Sequence, residues 1–249
     1  MTPSVFNPCD FVKYHCPQLT GLLEGCTDLL LCYDPRQFDA LTEDLCRRQE
    51  ISQVMDNVVR LKNSHVILAG RFGIGAPAAV ATCEELIACG IRRLISLGTA
   101  ATIVGGIRIG EVIVCKKAYS DEGTSRHYFP HQRTFTATPK LAQDIHDRLS
   151  GRGILCKLGT AWTTDAPYRE TPEKQALFVR KGAGVVEMET SALYMVAGYR
   201  GVESVSVLVV GDSIVGSAWS PHFHDPAIRT TLDRIGRELL AWLSEPASL

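Results

Sequence analysis

The stretch His65–Gly98, HVILAGRFGIGAPAAVATCEELIACGIRRLISLG, decides the fold because it holds one whole repeat of the chain's alternation. An apolar run, His65–Gly70, breaks into a glycine-rich turn, and a second run, Arg93–Gly98, closes the unit. Between them, residues 77–89 carry the marks of a helix: Pro77 in the first turn and Gly90 just past the last. Proline's missing N–H costs nothing at a helix start, and glycine takes the backbone angles a helix end needs. Neither apolar run alternates with polar residues, which suits strands covered on both faces. The unit therefore reads strand, helix, strand.

The same alternation extends outward in both directions. Further apolar runs lie at Asp28–Cys32, Glu111–Ala118, Ile154–Thr160, Val185–Glu189 and Ser204–Gly211. Helical patterns lie at 37–48, 139–150, 172–181, 190–199 and 225–243. Strands alternating with helices imply an α/β layered fold around a parallel or mixed sheet. With no repeat, low-complexity segment or linker in 249 residues, a single domain over 1–249 is expected. The longest irregular pieces are 119–135 and 212–224, and long loops in compact domains are often functional.

A net charge of −1 excludes a binder whose affinity comes from neutralising a nucleic-acid backbone, and gives no field to recruit an anionic membrane. No apolar stretch reaches spanning length and no basic-then-apolar leader opens the chain, so a cytoplasmic protein without membrane contact is expected. The nine cysteines are scattered without a C-x-x-C pair, and several sit in apolar runs. They read as reduced packing thiols rather than disulfides or a zinc site.

Four strand ends carry residues with chemical potential. Gly70–Pro77 follows one strand and opens a helix, so its glycines permit close ligand approach and its free N–H groups suit an anion or a polar oxygen. The spacing is not that of a dinucleotide-binding turn, and a purely structural turn fits equally well. Leu97-Gly98-Thr99-Ala100-Ala101 ends the next strand, where ligands of open α/β sheets usually sit, though it also fits a routine strand exit. Val186-Glu187-Met188-Glu189 ends a third in two carboxylates, which are costly near a core unless they bind something. A ribose diol is a suitable partner; the alternative is that Glu189 serves the N-terminus of the following helix. Val209-Val210-Gly211-Asp212 ends the fourth in an acid, commonly a turn or helix cap, equally a general acid if burial raises its pKa.

In this order and spacing the four features resemble the nucleoside phosphorylase family, in the branch that includes uridine phosphorylase and bacterial purine nucleoside phosphorylase. The resemblance runs from Leu29 to Leu243, and its most specific pieces are Gly73–Leu86, GIGAPAAVATCEEL, and Val186–Glu189. It implies a three-layer α/β/α sandwich around a mixed, partly barrel-like sheet, in a homo-oligomer that is a dimer or a trimer of dimers. It also implies that Glu187, Met188, Glu189 and Thr99 hold the sugar, and that Ala100, Ala101 and Tyr168 line the base pocket. Gly98, Thr99, Gly75 and Arg36 fall at the phosphate or water site, and Asp212 is the acid beside the base. An acid at that place is a mark of purine-cleaving members. The implied partners are a nucleoside and phosphate as co-substrate, with no other cofactor, no metal and no nucleic acid.

Two positions depart from the family. The arginine two residues before the Gly-Thr pair, which grips phosphate in relatives, is Ser96, and the Gly-Asp-Pro turn after the first strand reads Tyr33-Asp34-Pro35. Serine cannot replace a bidentate, charge-assisted contact. Arg36, Arg47, Arg48 and Arg71 are the cations that could compensate. The first expectation is therefore phosphorolysis of a purine nucleoside; hydrolysis on the same scaffold is the alternative, and a non-catalytic nucleoside-binding protein the lesser one. Residues 120–129 could wall the base pocket, reach a neighbouring subunit or be a plain exposed loop. His15 is a candidate for a residue lent across a dimer, while His127, His222 and His224 read as surface histidines without metal-ligand spacing.

Overall fold

Most of the long helices start where the sequence supplies a rigid first turn. The computed structural model, which describes residues 4–245 apart from the side chain of Ser217, begins with α1 (Pro8–His15), α2 (Leu19–Leu22), β1 (Asp28–Cys32) and α3 (Pro35–Arg47). It continues through β2 (Ile51–Met55), β3 (Val58–Leu61), β4 (Val66–Ala69), α4 (Ala76–Ala88), β5 (Arg93–Thr102), β6 (Val112–Asp121), α5 (Ser125–Tyr128) and β7 (Thr134–Thr136). It ends with α6 (Pro139–Gly151), β8 (Cys156–Thr164), α7 (Pro172–Arg180), β9 (Val185–Glu187), α8 (Thr190–Arg200), β10 (Glu203–Ser213), β11 (Ser220–Pro221) and α9 (Pro226–Leu243). Proline opens α3, α6, α7 and α9. The preceding Asp34 and Asp225 accept from the N–H groups of Arg36 (2.9 Å) and Ala227 (2.8 Å), which satisfies donors that a helix start leaves free.

Five strands close into a ring. β5 runs parallel to β10, β10 antiparallel to β6, β6 parallel to β8, β8 parallel to β9, and β9 antiparallel to β5. Outside the ring, β5 continues through parallel β1 and β4 into the antiparallel β3–β2 hairpin. This is the mixed, partly barrel-like sheet expected. Helices α1, α4, α5 and α8 pack together as one layer, and α3, α6 and α9 as another. The core between them includes Leu29, Leu30, Leu31, Ile67, Leu68, Leu94 and Ile95, all fully buried. Full burial of such a side chain contributes about 1.5–3 kcal/mol.

Several elements carried no readable signal. The β2–β3 hairpin was not expected: β2 is half exposed and lacks an apolar run, and β3 has four residues. β5 and β6 run past Gly98 and Ala118 because their far ends stay paired inside the ring, as in Thr102 with Ser213 and Asp121 with Thr164. The segment 119–135, read as a loop, therefore holds the end of β6, then α5 and the start of β7. All nine cysteines are free, and six are buried; Cys9 and Cys46 are exposed.

One detail of register creates an opening. Along one edge of β5, β1 pairs as far as Cys32 with Leu97, and β9 takes over at Val186 with Ala101. Gly98, Thr99 and Ala100 have no strand on that edge, while β10 covers the other. The chain leaving β1 at Tyr33 and the chain leaving β9 at Glu187 both turn away around this gap.

Candidate active site

A cavity of about 570 Å³ opens over the gap in β5. Gly98 and Thr99 form its floor, Glu187, Met188 and Glu189 one wall, and residues 33–37 the opposite one. Phe223, His224 and the first turns of α9 complete it. The sugar-holding residues expected from the sequence are thus brought together in one place.

The two glutamates do different work. Glu187 is 6% exposed, and its carboxylate accepts from the Thr163 hydroxyl (2.5 Å) and from the N–H groups of Glu189 (2.8 Å) and Thr190 (2.7 Å). The two backbone donors belong to the start of α8, so the carboxylate that serves the helix is Glu187 and not Glu189. Glu189 receives one donor, the N–H of Gly75 at 2.5 Å. Burial, and then the Glu187 charge beside it, raises the Glu189 carboxyl to about 8, against the Gly75 donor. Burial also pushes Glu187 upward, opposed by its hydroxyl and backbone donors. Glu189 is the glutamate with bonding capacity to offer a ligand.

Gly75 can deliver its N–H because its φ is +89°, a conformation that strains residues with a Cβ. That N–H is committed to Glu189, so Gly75 itself does not present it to the cavity. Tyr168 is corrected as well: it lies in a 3-10 turn at Pro167–Arg169 with its side chain 99% exposed, outside the cavity lining. Ala100 and Ala101 are buried in β5 opposite Val210 and Asp212. They lie behind the floor rather than in the cavity lining.

Asp212 is not among the residues lining the cavity, although its neighbour Gly211 backs onto two that are. A Cβ at its neighbour Gly211 would lie 3.5 Å from both Thr99 Cβ and Phe223 Cδ1, two lining residues. Asp212 is 7% exposed and accepts from the Trp219 indole N–H at 3.0 Å. Burial raises its pKa, while the Trp219 bond and His222 oppose the rise. Half-buried Glu170 is pushed to about 7 by burial and by the Asp212 charge, which places a second carboxyl near the first. Sequence reading missed Glu170 and Trp219, since neither sits in a motif.

None of the arginines singled out takes the place of the missing one. The Arg36 guanidinium lies at the cavity rim, paired with Asp34 through two bonds of 3.0 and 3.2 Å. Arg71 pairs with Asp39 at 2.7 Å. Arg47 and Arg48 pair with Asp44, and Arg48 lines a separate cavity toward the other end of α3. Ser96 is fully buried and bonds Ser206 across the β5–β10 pair at 2.8 Å. The Tyr33 ring lies so close to Gly98 that a Cβ there would sit 2.8 Å from its Cδ2.

Residues 120–129 are anchored inward rather than lining the cavity. Glu122 is 1% exposed and accepts from Ser120, the Ser125 N–H and Ser191, while Tyr128 donates to Glu84 at 2.9 Å. His15 stacks on Phe11 in α1, which packs on α4, outside the cavity lining. His127 is exposed, and His222 bonds Ser220 at 3.2 Å. His224 lines the cavity, although it is exposed as expected. No helix among the described residues is long and apolar enough to cross a membrane.

The family model described as the phosphorylase superfamily matches residues 29–241. The chain is 33% identical over 145 residues to a purine nucleoside phosphorylase DeoD-type of Caldanaerobacter subterraneus subsp. tengcongensis, covering 57% of this chain and 62% of that protein. It is 30% identical over 178 residues to one of Bacillus cereus (strain B4264), covering 71% and 75%. A Clostridium perfringens (strain SM101 / Type A) protein of the same name is 30% identical over 146 residues, again covering 57% and 62%. Two of these three matches thus span less than two thirds of the relative's length. A family match across most of the chain, over the ring of strands and the carboxylate-lined gap, leads to one assignment: the chain belongs to the phosphorylase superfamily.

Proposed function

We propose that the protein is an enzyme that cleaves the N-glycosidic bond of a purine nucleoside. The observation that carries this reading is the convergence of Glu189, Met188 and Thr99 on one cavity. Breaking the bond builds positive charge on the sugar and negative charge on the departing base. Glu189 accepts from the ribose hydroxyls, and Met188 gives the sugar an apolar wall. Asp212, its pKa raised by burial, delivers a proton to the base and makes it a better leaving group. General acid assistance of this kind contributes typically about 10²–10⁴-fold. Glu187 fixes the backbone that presents Glu189.

The names of the relatives favour orthophosphate as the acceptor of the sugar. The residues around Tyr33 and Ser96 favour water. Incubation with a panel of purine and pyrimidine nucleosides, with chromatography of the free base, tests the shared step. Release from purine nucleosides supports the reading. Binding without release from any nucleoside would make the protein a binder, and neither binding nor release would refute both.

A further inference from the structure

The wall that carries Glu187 and Glu189 is held from behind by a continuous chain of buried hydrogen bonds. β8 and β9 run parallel with Thr163 opposite Glu187, and Thr163 is fully buried. Its hydroxyl accepts the Ser191 N–H at 2.9 Å and donates to Glu187 Oε1 at 2.5 Å. Glu187 Oε2 takes the N–H groups of Glu189 and Thr190. Behind Thr163, the Ser191 hydroxyl donates to Glu122 at 3.1 Å, and Glu122 also accepts from the Ser120 hydroxyl at 2.7 Å and the Ser125 N–H at 2.9 Å. Ser191 is thereby fixed at both its N–H and its hydroxyl.

This chain has a fixed polarity. A hydroxyl carries one proton, and Thr163, which accepts from a backbone N–H, directs its own to its acceptor partner, Glu187. Glu187 therefore collects three donors and Glu189 one, the Gly75 N–H. Donors favour the charged form of a carboxyl, and adjacent carboxyls resist ionising together. The pair thus keeps its negative charge on Glu187 and its proton on Glu189, whose carboxyl is raised to about 8. The other titratable groups acting on the pair or acted on by it, Tyr33 after β1 and Cys115 in β6, are kept un-ionised by burial. Across the cavity stand Asp34, Arg36, His224, Asp225, Arg229 and Asp233, mixed in sign.

We propose that Thr163 is a positioning residue for sugar binding: its hydroxyl pins the negative charge on Glu187, so that Glu189 holds the pair's proton and must release it to accept the ribose hydroxyls. This rests on the nucleoside-cleavage reading above and deepens it by naming what sets the state of the sugar-binding carboxyl. On binding, one proton passes from Glu189 to solvent while the ribose O–H groups donate to the carboxylate left behind. Affinity for a riboside therefore rises by about tenfold per pH unit as pH climbs toward about 8, and levels off above it. Without the Thr163 donor, Glu187 Oε1 is free to take the proton, Glu189 is ionised at lower pH, and the dependence flattens. A hydrogen bond to a charged group corresponds to about a tenfold bias or more in where the proton sits.

The test measures KM for adenosine and inosine across this pH range in the unmodified protein, Thr163→Val and Thr163→Ser. Carboxyl-carbon NMR of the protein labelled with ¹³C-glutamate runs alongside, with Glu189→Gln identifying the Glu189 signal. The unmodified protein and Thr163→Ser should show KM falling by about tenfold per pH unit below about 8, with the Glu189 signal titrating there. Thr163→Val should shrink the total fall by about tenfold or more. The same slope in Thr163→Val as in the unmodified protein, or a Thr163→Ser variant that behaves like Thr163→Val, overturns the proposal. If Thr163→Val does not fold, Thr163→Cys, whose thiol is a weaker donor in the same place, should flatten the slope in smaller measure; an unchanged slope there also overturns it. Absence of any nucleoside binding or release refutes the nucleoside reading, while the NMR titration still locates the proton. A Glu189 signal that titrates in the ordinary glutamate range, about 4.3, removes the role given to Thr163 whatever the protein cleaves.

Discussion

Adding one methyl group at Gly98 tests whether the Tyr33 ring lies on it as described. A Cβ at Gly98 would lie 2.8 Å from Tyr33 Cδ2, with Cε2 and Cγ at 3.7 and 3.8 Å. Ordinary carbon–carbon contact begins near 3.5 Å, so the ring or the strand must move by about 0.7 Å. The ring has little room, since it is boxed in by Phe72 in an edge contact at 5.7 Å and is 9% exposed. Overpacking of this kind costs about 1–3 kcal/mol. At roughly 2–4 °C per kcal/mol for a domain of this size, Gly98→Ala should lower Tm by about 2–12 °C. Tyr33→Ala removes the obstacle at its own cost of about 3–5 kcal/mol. In that background Gly98→Ala should cost less than about 0.5 kcal/mol, so the pair couples by about 0.5–3 kcal/mol in a double-mutant cycle. Calorimetry or urea denaturation of the four proteins reads the coupling. Equal cost of Gly98→Ala in both backgrounds would show that the ring does not lie on Gly98.

Asp212→Asn should reduce turnover of purine nucleosides by about 10²–10⁴-fold while changing their binding little; steady-state kinetics with undiminished kcat would remove Asp212 from the acid role. Trp219→Phe takes away a donor that favours the Asp212 carboxylate, so the acid form should persist to higher pH and the alkaline limb of the kcat profile should move upward. An unmoved limb would count against the Trp219–Asp212 bond. Glu189 has its carboxyl raised from 4.5 to about 8, so its protonated form contributes stability fully below about 4.5, and that contribution is lost as pH rises through about 8. The Tm of Glu189→Gln relative to the unmodified protein should therefore climb between those limits, while its KM for ribosides rises. A Tm difference that stays flat with pH would contradict the buried, uncompensated carboxyl.

Residues 65–98 displayed the fold because proline, glycine and unbroken apolar runs act locally, and the structure places β4, α4 and β5 where those residues put them. The ring was legible only through family resemblance, since no local pattern tells β10 to pair with both β5 and β6. The hairpin β2–β3 escaped because its half-exposed residues carry no run of one kind. At the site, Glu187 and Glu189 are two positions apart and look interchangeable in sequence. Only the turn into α8 shows that one carboxylate is consumed by N–H groups while the other keeps a free oxygen. The loss at Ser96 was legible, but not that Tyr33 occupies the space beside it.

The handover from β1 to β9 along the edge of β5 amounts to a seam between separately supported halves. On one side the chain emerging from β1 and the turns of α3 and α9 choose what attacks the sugar; on the other, β9 and α8 choose what is attacked. Along this edge Gly98, Thr99 and Ala100 separate the two halves, so substitutions on the first side can accumulate with little disturbance of the second. A lineage could exchange one attacking molecule for another by altering that bank alone, and the replacements at Tyr33 and Ser96 in a chain that keeps Val186–Glu189 have that form.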